Sequence, residues 1–565
     1  MKSTNKLSFL NFGVAWLMGS LVTSFVLGFI KSFYVQSWQW LAWGVFWQTA
    51  LVLVGYFLFT EVTARFQWAR HGMMTIALLV GFAFSGAVVW LCTRFPMMFD
   101  ASLFVFHPQD WPLLAGLFVA SALWTFLLLW QLQARQLDQA FTSSRFFIFL
   151  RAHLPALLMA AAFFAAYFTL AVTYSIAYRG LSQAVDDNFY DADPASWMIR
   201  MASPASRLID MRPVHPFAYL IFRPLTWLLS LLLNGNRFYA ALLLNASVGA
   251  LCVFLAWLFM KHWANNTYAL LTATLLGATV SHLLFSIFLE TYIYSAAALI
   301  AFLILIQREN KSLRWLVPAG LLTFGLTITN FIQTGIVFVL TDFKITKIAK
   351  YVLIVLALAL ILAFVQVKIY PTSQPFYIPS DMLAEKRYSF DIMTTPLRQT
   401  YMRGYALGRT ITLFSTVGPR PLDLLADVGC SFPCFKVYKP GYNGGLITSY
   451  AGFGSWLARL WFLILLAALG FFTWKLVKSP KSVSLQAALL ICVAFNFVLH
   501  LTYGDDPMLY SPDWTYAVIF FVALSFQTFA HKRWFQAAML VFLALLMVNN
   551  WTFLHAMLVD VAPYF

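Results

Sequence analysis

Apolar stretches of roughly 20 residues, each long enough to cross about 30 Å of hydrocarbon as a helix, recur along the whole chain between short polar connections. Strict period-two alternation over ten-residue segments is absent, which excludes an outer-membrane barrel. A backbone in lipid has to satisfy its own hydrogen bonds, so helices are the expected form of these stretches. The pattern predicts fifteen spans: 9–30, 38–60, 73–93, 111–132, 153–176, 238–260, 265–286, 290–307, 314–328, 330–342, 350–367, 456–477, 483–502, 511–530 and 534–556. The stretch 215–233 is nearly as apolar, but Pro216, Arg223 and Pro224 predict a broken or membrane-surface helix there. Residues 314–342 fit either a short hairpin around Thr329-Asn330 or one long tilted helix.

Composition agrees with that reading and charge orders it. Of 565 residues, 61% are hydrophobic and only 10% charged, with 57 Phe and 21 Trp, and the mean hydropathy is +0.77. These values describe an all-α polytopic membrane protein and exclude a soluble enzyme. With the N-terminus inside and 215–233 not crossing, the inner connections hold Lys2, Lys6, Arg65, Arg70, Arg135, Arg145, Arg151, Lys261, Arg308, Lys311 and Arg314. They also hold Lys344, Lys347, Lys350, Lys475, Lys478, Lys481, Lys532 and Arg533, against four acids, Glu61, Asp138, Glu309 and Asp342. The other 17 of 21 acids fall outside. Every inner loop then obeys the positive-inside rule, so an N-in, C-out arrangement of about fifteen helices is preferred. It places surface helices in an outer 177–236 loop and leaves a large outer loop at 368–454. Lys2 and Lys6 precede an apolar run with no small-residue cleavage site, as in a retained signal anchor of a cytoplasmic (inner) membrane protein. The net charge of +16 resides mostly in the inner loops, where it serves topology and anionic headgroups. No basic stripe interleaved with stacking aromatics stands apart from the spans, so no nucleic-acid partner is expected. The 368–454 loop carries nine basic residues against five acids, an excess that suits either an ordinary solvated loop or a phosphate-bearing ligand.

Three acidic constellations fall on the expected outer side. The first is Asp186-Asp187-Asn188-Phe189-Tyr190-Asp191-Ala192-Asp193, followed by Arg212 and His215. Its carboxylates could act as a general base or hold a divalent cation (Mg2+ or Mn2+), Arg212 could pair with phosphate, and His215 could shuttle a proton. The plain alternative is that Asp186 and Asp187 solvate the loop while Asp191 or Asp193 caps a helix starting at Pro194. The second constellation is Glu290-Thr291-Tyr292-Ile293-Tyr294, an acid at the start of a span with two Tyr on the next turn, fit either for the helix dipole or for a cavity. The third, Tyr503-Gly504-Asp505-Asp506-Pro507 with Tyr510, Ser511 and Asp513, is either a solvated turn or a binder of sugar hydroxyls or a cation. Cys92, Cys252 and Cys492 fall in or near spans as small apolar packers, whereas Cys430 and Cys434 share the large loop and are expected to form a disulfide. Cys-x3-Cys without a further Cys or His is a poor zinc pattern, so no metal ligands are assigned.

The order of parts resembles the GT-C superfamily of lipid-linked-sugar glycosyltransferases, including the protein O-mannosyltransferase and lipid A aminoarabinose transferase groups. The likeness rests on Asp191-Ala192-Asp193, Arg212-Pro213-Val214-His215-Pro216, Glu290-Thr291-Tyr292 and Leu509-Tyr510-Ser511-Pro512-Asp513-Trp514, and covers roughly residues 150–530. It implies a seven-helix catalytic module at 151–367, the loop 368–454, a C-terminal four-helix unit at 455–565 and an added N-terminal four-helix unit at 1–150. The implied activity is inverting transfer of a sugar from a polyprenyl-phosphate-linked donor to an envelope glycan, lipid or protein. Asp193, or alternatively Asp187 or Asp191, would be the base; Arg212, His215, Glu290, Tyr292, Asp505, Asp506 and Tyr510 would bind substrate. Members often place an adjacent acidic pair early in this loop, which here is Asp186-Asp187, so two positions compete for the base. A transporter or flippase is the rival class, suggested by polar residues within spans such as Asn245, His282, Asn330, Gln333, Asn496 and His500. Reporter fusions test the topology: a fusion at Asn310 is expected to report from the cytoplasmic side and one at Pro440 from the outer side. An outward signal at Asn310 would overturn the arrangement.

Overall fold

The computed structural model describes residues 8–179, 185–203, 209–308, 311–420, 422–423, 433–441 and 444–565. Among these residues the chain is helical apart from two short antiparallel strand pairs, both in the large loop. Leu422–Asp423 pairs with Phe435–Lys436, and Tyr438–Lys439 with Leu446–Ile447. Every predicted span coincides with helix, and ten helices among the described residues are long and apolar enough to cross a membrane.

The other five predicted spans are met by helices of 15 residues or fewer. Residues 265–286 divide into Asn266–Ala278 and Val280–Phe285, and the rest are Tyr292–Ile306, Leu313–Leu326, Ile328–Thr341 and Pro512–Ser525. A 14-residue helix such as Leu313–Leu326 spans only about 21 Å at 1.5 Å per residue, less than the hydrocarbon thickness. Hydropathy does not register these interruptions because the residues at them, such as Thr279 and Thr327, sit within apolar surroundings. Thr327 is extended (φ −157°, ψ 118°), so 314–342 is two helices and not one. The stretch 215–233 contains one helix, Ala218–Ser230, which passes through Pro224 unbroken and ends in a 3-10 turn at Leu231–Leu233.

The chain forms two compact units. The smaller comprises Met1–Thr75, Asp100–Leu157 and Ser230–Asn236. Its core holds one cluster around Leu27, Ile30, Trp40, Phe106, Leu114 and Leu117, and another around Tyr56, Phe57, Leu129 and Phe147. Gln48 ties three of its helices by donating to Ser20 Oγ (2.9 Å) and Ser121 Oγ (3.3 Å). The larger unit comprises Ile76–Phe99, Leu158–Leu229 and Arg237–Phe565 and contains all the candidate site residues.

Each helix interruption in the larger unit strands backbone donors and acceptors that have no water to turn to, so other parts of the chain must meet them. At Thr279, Val280 N donates to Thr416 O (3.4 Å) and Ser281 N to Ser415 O (2.9 Å), drawing the π-helical turn Thr410–Phe414 and its continuation against the gap. Asn550, fully buried, completes that junction. Its Nδ2 donates to Ala278 O (2.7 Å) and Thr416 O (2.9 Å), and its Oδ1 accepts from Gly418 N (2.8 Å). Asn245 does the same after Phe285, donating to Phe285 O (3.2 Å) and Phe288 O (3.1 Å). At Thr327, Ile328 N donates to Val214 O (3.1 Å) and the His215 ring meets Leu326 O at 2.5 Å. Three backbone partners depend on one Asn550 amide, and a buried unsatisfied group costs about 1–3 kcal/mol. Asn550→Leu is therefore expected to lower the thermal midpoint in detergent by several degrees, whereas Val548→Ala, on the exposed side of the same helix, leaves it nearly unchanged.

Candidate functional site

The acidic loop is a tight coil held by backbone pairing to the large loop. Tyr190 N donates to Phe435 O (2.7 Å), Phe435 N to Asn188 O (2.7 Å), and Ala192 O accepts from Asp187 N (2.9 Å). Asp187, Tyr190 and Asp191 all have positive φ (66°, 57° and 58°). Asp tolerates that region, but for a Tyr it costs about 1–2 kcal/mol, so the conformation persists only because the surroundings enforce it. The buried Tyr190 ring packs on Phe435 and its hydroxyl lies 3.8 Å from Met557 Sδ.

The four carboxylates of this loop have different fates. Asp186, and neither Asp191 nor Asp193, caps the helix Pro194–Ala202. Its Oδ1 accepts from Ala195 N (3.0 Å) and Ser196 N (3.3 Å), and its Oδ2 from Ser196 Oγ (2.6 Å). Spacing alone could not show this, because the positive-φ coil folds Asp186 back over a helix that begins eight residues later. Asp187 is exposed. Asp191 pairs with Lys436 Nζ (2.5 Å) and accepts from Asp506 N (2.5 Å). Fully buried Asp506 in turn accepts from Val437 N (2.6 Å), Tyr438 N (3.4 Å) and Met508 N (2.7 Å). These two acids lock the acidic loop, the large loop and the 503–511 turn together. Their oxygens are occupied by N–H donors and an ammonium, surroundings that oppose a divalent cation. Among the described residues no group of three or more His, Cys, Asp or Glu could hold a metal ion.

Asp193 is the partly buried carboxylate that these contacts leave unengaged. Its backbone N donates to Glu290 Oε1 (2.8 Å), and among the described residues its own side chain accepts no hydrogen bond. Burial, then the charges of Asp186 and Asp187, push it up to about 7, although Arg200 and Arg212 pull the other way. Glu290 is 5% exposed, lies just before Tyr292–Ile306, and also accepts from Thr291 N (3.2 Å). The Glu290 carboxyl thus meets the Asp193 backbone at the interruption, close enough for the Asp193 charge to be felt there. Arg200 and His215 both pack against Trp197, in the helix that follows Asp193. Arg200 stacks over Trp197 (4.9 Å), and among the described residues its Nε has no hydrogen-bond partner; its charge is felt at both Asp193 and His215. Burial, reinforced by Arg212, lowers His215 to about 4 and keeps it neutral. A carbonyl can only accept, so the Leu326 contact places the proton on Nδ1 and leaves the Nε2 lone pair free to receive one.

Arg212 is not an open phosphate clamp. Its guanidinium pairs bidentately with Glu385 (Nε to Oε1, 3.1 Å, and Nη2 to Oε2), donates to Tyr503 Oη (2.6 Å) and lies over the Tyr388 ring (3.9 Å). Burial pushes Glu385 up, but Arg212 and the Tyr503 hydroxyl outweigh it and hold the carboxyl below its ordinary value. Tyr292 and Tyr510 meet edge to face at 5.3 Å, and Tyr510 stacks on His500 (3.9 Å) beneath Gly504, where φ is +82° and any Cβ would collide with the Tyr510 ring. Asp505 is exposed on that turn. Cys430 lies outside the described residues; Cys434 is disulfide-bonded and sits against Asn188, while Cys92, Cys252 and Cys492 are free and buried.

The sequence reading missed Arg200, Glu385 and Tyr503 as partners in this region. Only Arg200 had a usable signal, a cation in the last turn of the short amphipathic helix Pro194–Ala202. Comparison with protein-family models, curated proteins and solved structures finds no match for the chain. Because folding raises the Asp193 carboxyl from its ordinary 3.8 to about 7, its contribution to stability is complete below about pH 4 and lost as pH rises through 7. Asp193→Asn is therefore expected to match wild-type thermal stability near about pH 4 and to exceed it near about pH 8, as read by detergent melting curves.

Proposed function

We propose that the protein is a membrane glycosyltransferase that moves a sugar from a polyprenyl-phosphate-linked donor to an envelope acceptor on the outer face of the cytoplasmic membrane. The observation that carries this reading is the Asp193 carboxyl, free of hydrogen bonds among the described residues and tuned to about 7 beside Glu290. Near neutrality such a group exchanges protons readily with an alcohol under attack, a contribution of about 10²–10⁴-fold to rate. Asp193 takes the proton of the acceptor hydroxyl as its oxygen bonds to the anomeric carbon, and the bond to the donor phosphate breaks. Arg200, not the sequestered Arg212, supplies positive charge for the departing phosphate. Neutral His215 orients a hydroxyl through Nε2. Asp191 and Asp506 hold the loops in place without touching substrate, and Tyr292 and Tyr510 offer flat surfaces to a sugar. The arrangement of fifteen membrane helices, N-in and C-out, belongs to this reading.

One observation favours transport. Asp513, 2% exposed, accepts from Asn330 Nδ2 (2.8 Å); Asn330 accepts from Gln333 (2.9 Å), and Gln333 from Tyr516 Oη (2.8 Å). This polar chain runs through the bundle, where ionisable groups commonly mark a path. The two readings separate in cells where deleting the gene changes envelope glycolipids or glycans by mass spectrometry. Asp193→Asn and Glu290→Gln should abolish the wild-type profile, with residual transfer rising less with pH across about 6–8 than the wild type, while Asp187→Asn retains much of it. Intact profiles in both loop variants, with loss in Asp513→Asn alone, would contradict glycosyl transfer and support transport.

A further inference from the structure

Away from the acidic site, a groove of about 970 Å3 runs between the helix Leu397–Arg409, with its π-helical continuation Thr410–Phe414, and the helix Gly452–Lys478. Leu413, Ala458, Phe462 and Leu463 line its apolar part, and Arg409 and Arg459 border it. Arg409 lies over the rings of Tyr405 (5.4 Å) and Phe414 (4.7 Å), and Arg459 over Trp456 (4.9 Å). Among the described residues neither guanidinium makes an ion pair or a hydrogen bond, and no Asp or Glu lines the groove. Two of the lining hydroxyls are engaged internally: Thr412 donates to Gly408 O (2.7 Å) and Tyr450 to Val417 O (2.9 Å).

Two arginines held on aromatic faces beside an apolar floor, with the five N–H donors of each unclaimed among the described residues, form a complement for an oxyanion that arrives with its own hydrocarbon. The apolar lining continues along the 27-residue helix Gly452–Lys478, which is long enough to cross a membrane and displays Leu460, Leu463 and Leu466 at its surface. A soluble phosphate would leave that floor in water, and an acidic peptide would have no reason to extend along a membrane helix. We infer that the groove seats the phosphate of an anionic membrane phospholipid between Arg409 and Arg459, its acyl chains lying along the helix Gly452–Lys478. The inference does not depend on the reading of the acidic site, since the groove shares no residue with it.

The test uses the full chain in phosphatidylcholine nanodiscs, titrated with phosphatidylglycerol and followed by thermal unfolding and by native mass spectrometry of retained lipid. Phosphatidylglycerol is expected to raise the midpoint and to remain bound at one copy. Arg409→Gln and Arg459→Gln should each weaken retention at least about tenfold, while melting as the wild type does in phosphatidylcholine alone. Equal retention of phosphatidylcholine, equal stabilisation by soluble glycerol phosphate, or unchanged phosphatidylglycerol binding in both variants would overturn the assignment. So would displacement of the bound lipid by polyprenyl phosphate at equimolar amounts, which would make the groove a donor seat.

Discussion

A backbone N–H or C=O released by a helix break inside a membrane-thick bundle has to find a partner within the protein, and the larger unit is organised by that requirement. Five of the predicted spans are met there by helical segments that stop short of the hydrocarbon thickness. The gaps they leave are filled by named groups: Asn550 and the carbonyls of Ser415 and Thr416 at Thr279, Asn245 after Phe285, and Val214 with His215 at Thr327. Glu290 extends the same logic to a loop, accepting the Asp193 N–H at the interruption before Tyr292–Ile306. Short helices and well-connected loops are therefore one feature and not two.

That economy decides which acids are engaged by the fold. Asp186 is consumed as a helix cap, Asp191 by Lys436 and Asp506 by three backbone N–H groups. Arg212 is consumed by Glu385 and Tyr503. Asp187 and Asp505 are exposed, and Asp193 is the partly buried acid whose carboxyl has no hydrogen bond among the described residues, with Glu290 holding its backbone, while His215 meets the carbonyl at the Thr327 break. The three positive-φ residues of the acidic loop are the strain that this arrangement tolerates, with Tyr190 pinned by Phe435 on one side and the Met557 sulfur on the other.

The fold class was legible in the sequence because burial in lipid demands a helical, apolar chain, and every predicted span did fall on a helix. Span length was not legible where an apolar run hides a break: Thr279 and Thr327 carry little hydropathy signal, and their disruption shows only in backbone angles. The acidic loop stood out by composition, yet the roles within it did not. A pattern of letters cannot say that the coil doubles back so that Asp186 reaches Ser196, or that Lys436, some 240 residues away, claims Asp191. The value of Arg200 depended on Arg212 being engaged by Glu385, a contact between the 177–236 and 368–454 loops that neither stretch announces alone.

The interruptions of the short helices gather acidic residues around Asp193, and the proposed transfer requires that place to open to the outer side. Labelling of Asp193→Cys in intact cells with a membrane-impermeant maleimide tests it most directly. The account predicts modification from outside, slower than at Asp187→Cys because Asp193 is the more buried of the two. Labelling of Asp193→Cys that appears only after the membrane is permeabilised would contradict it.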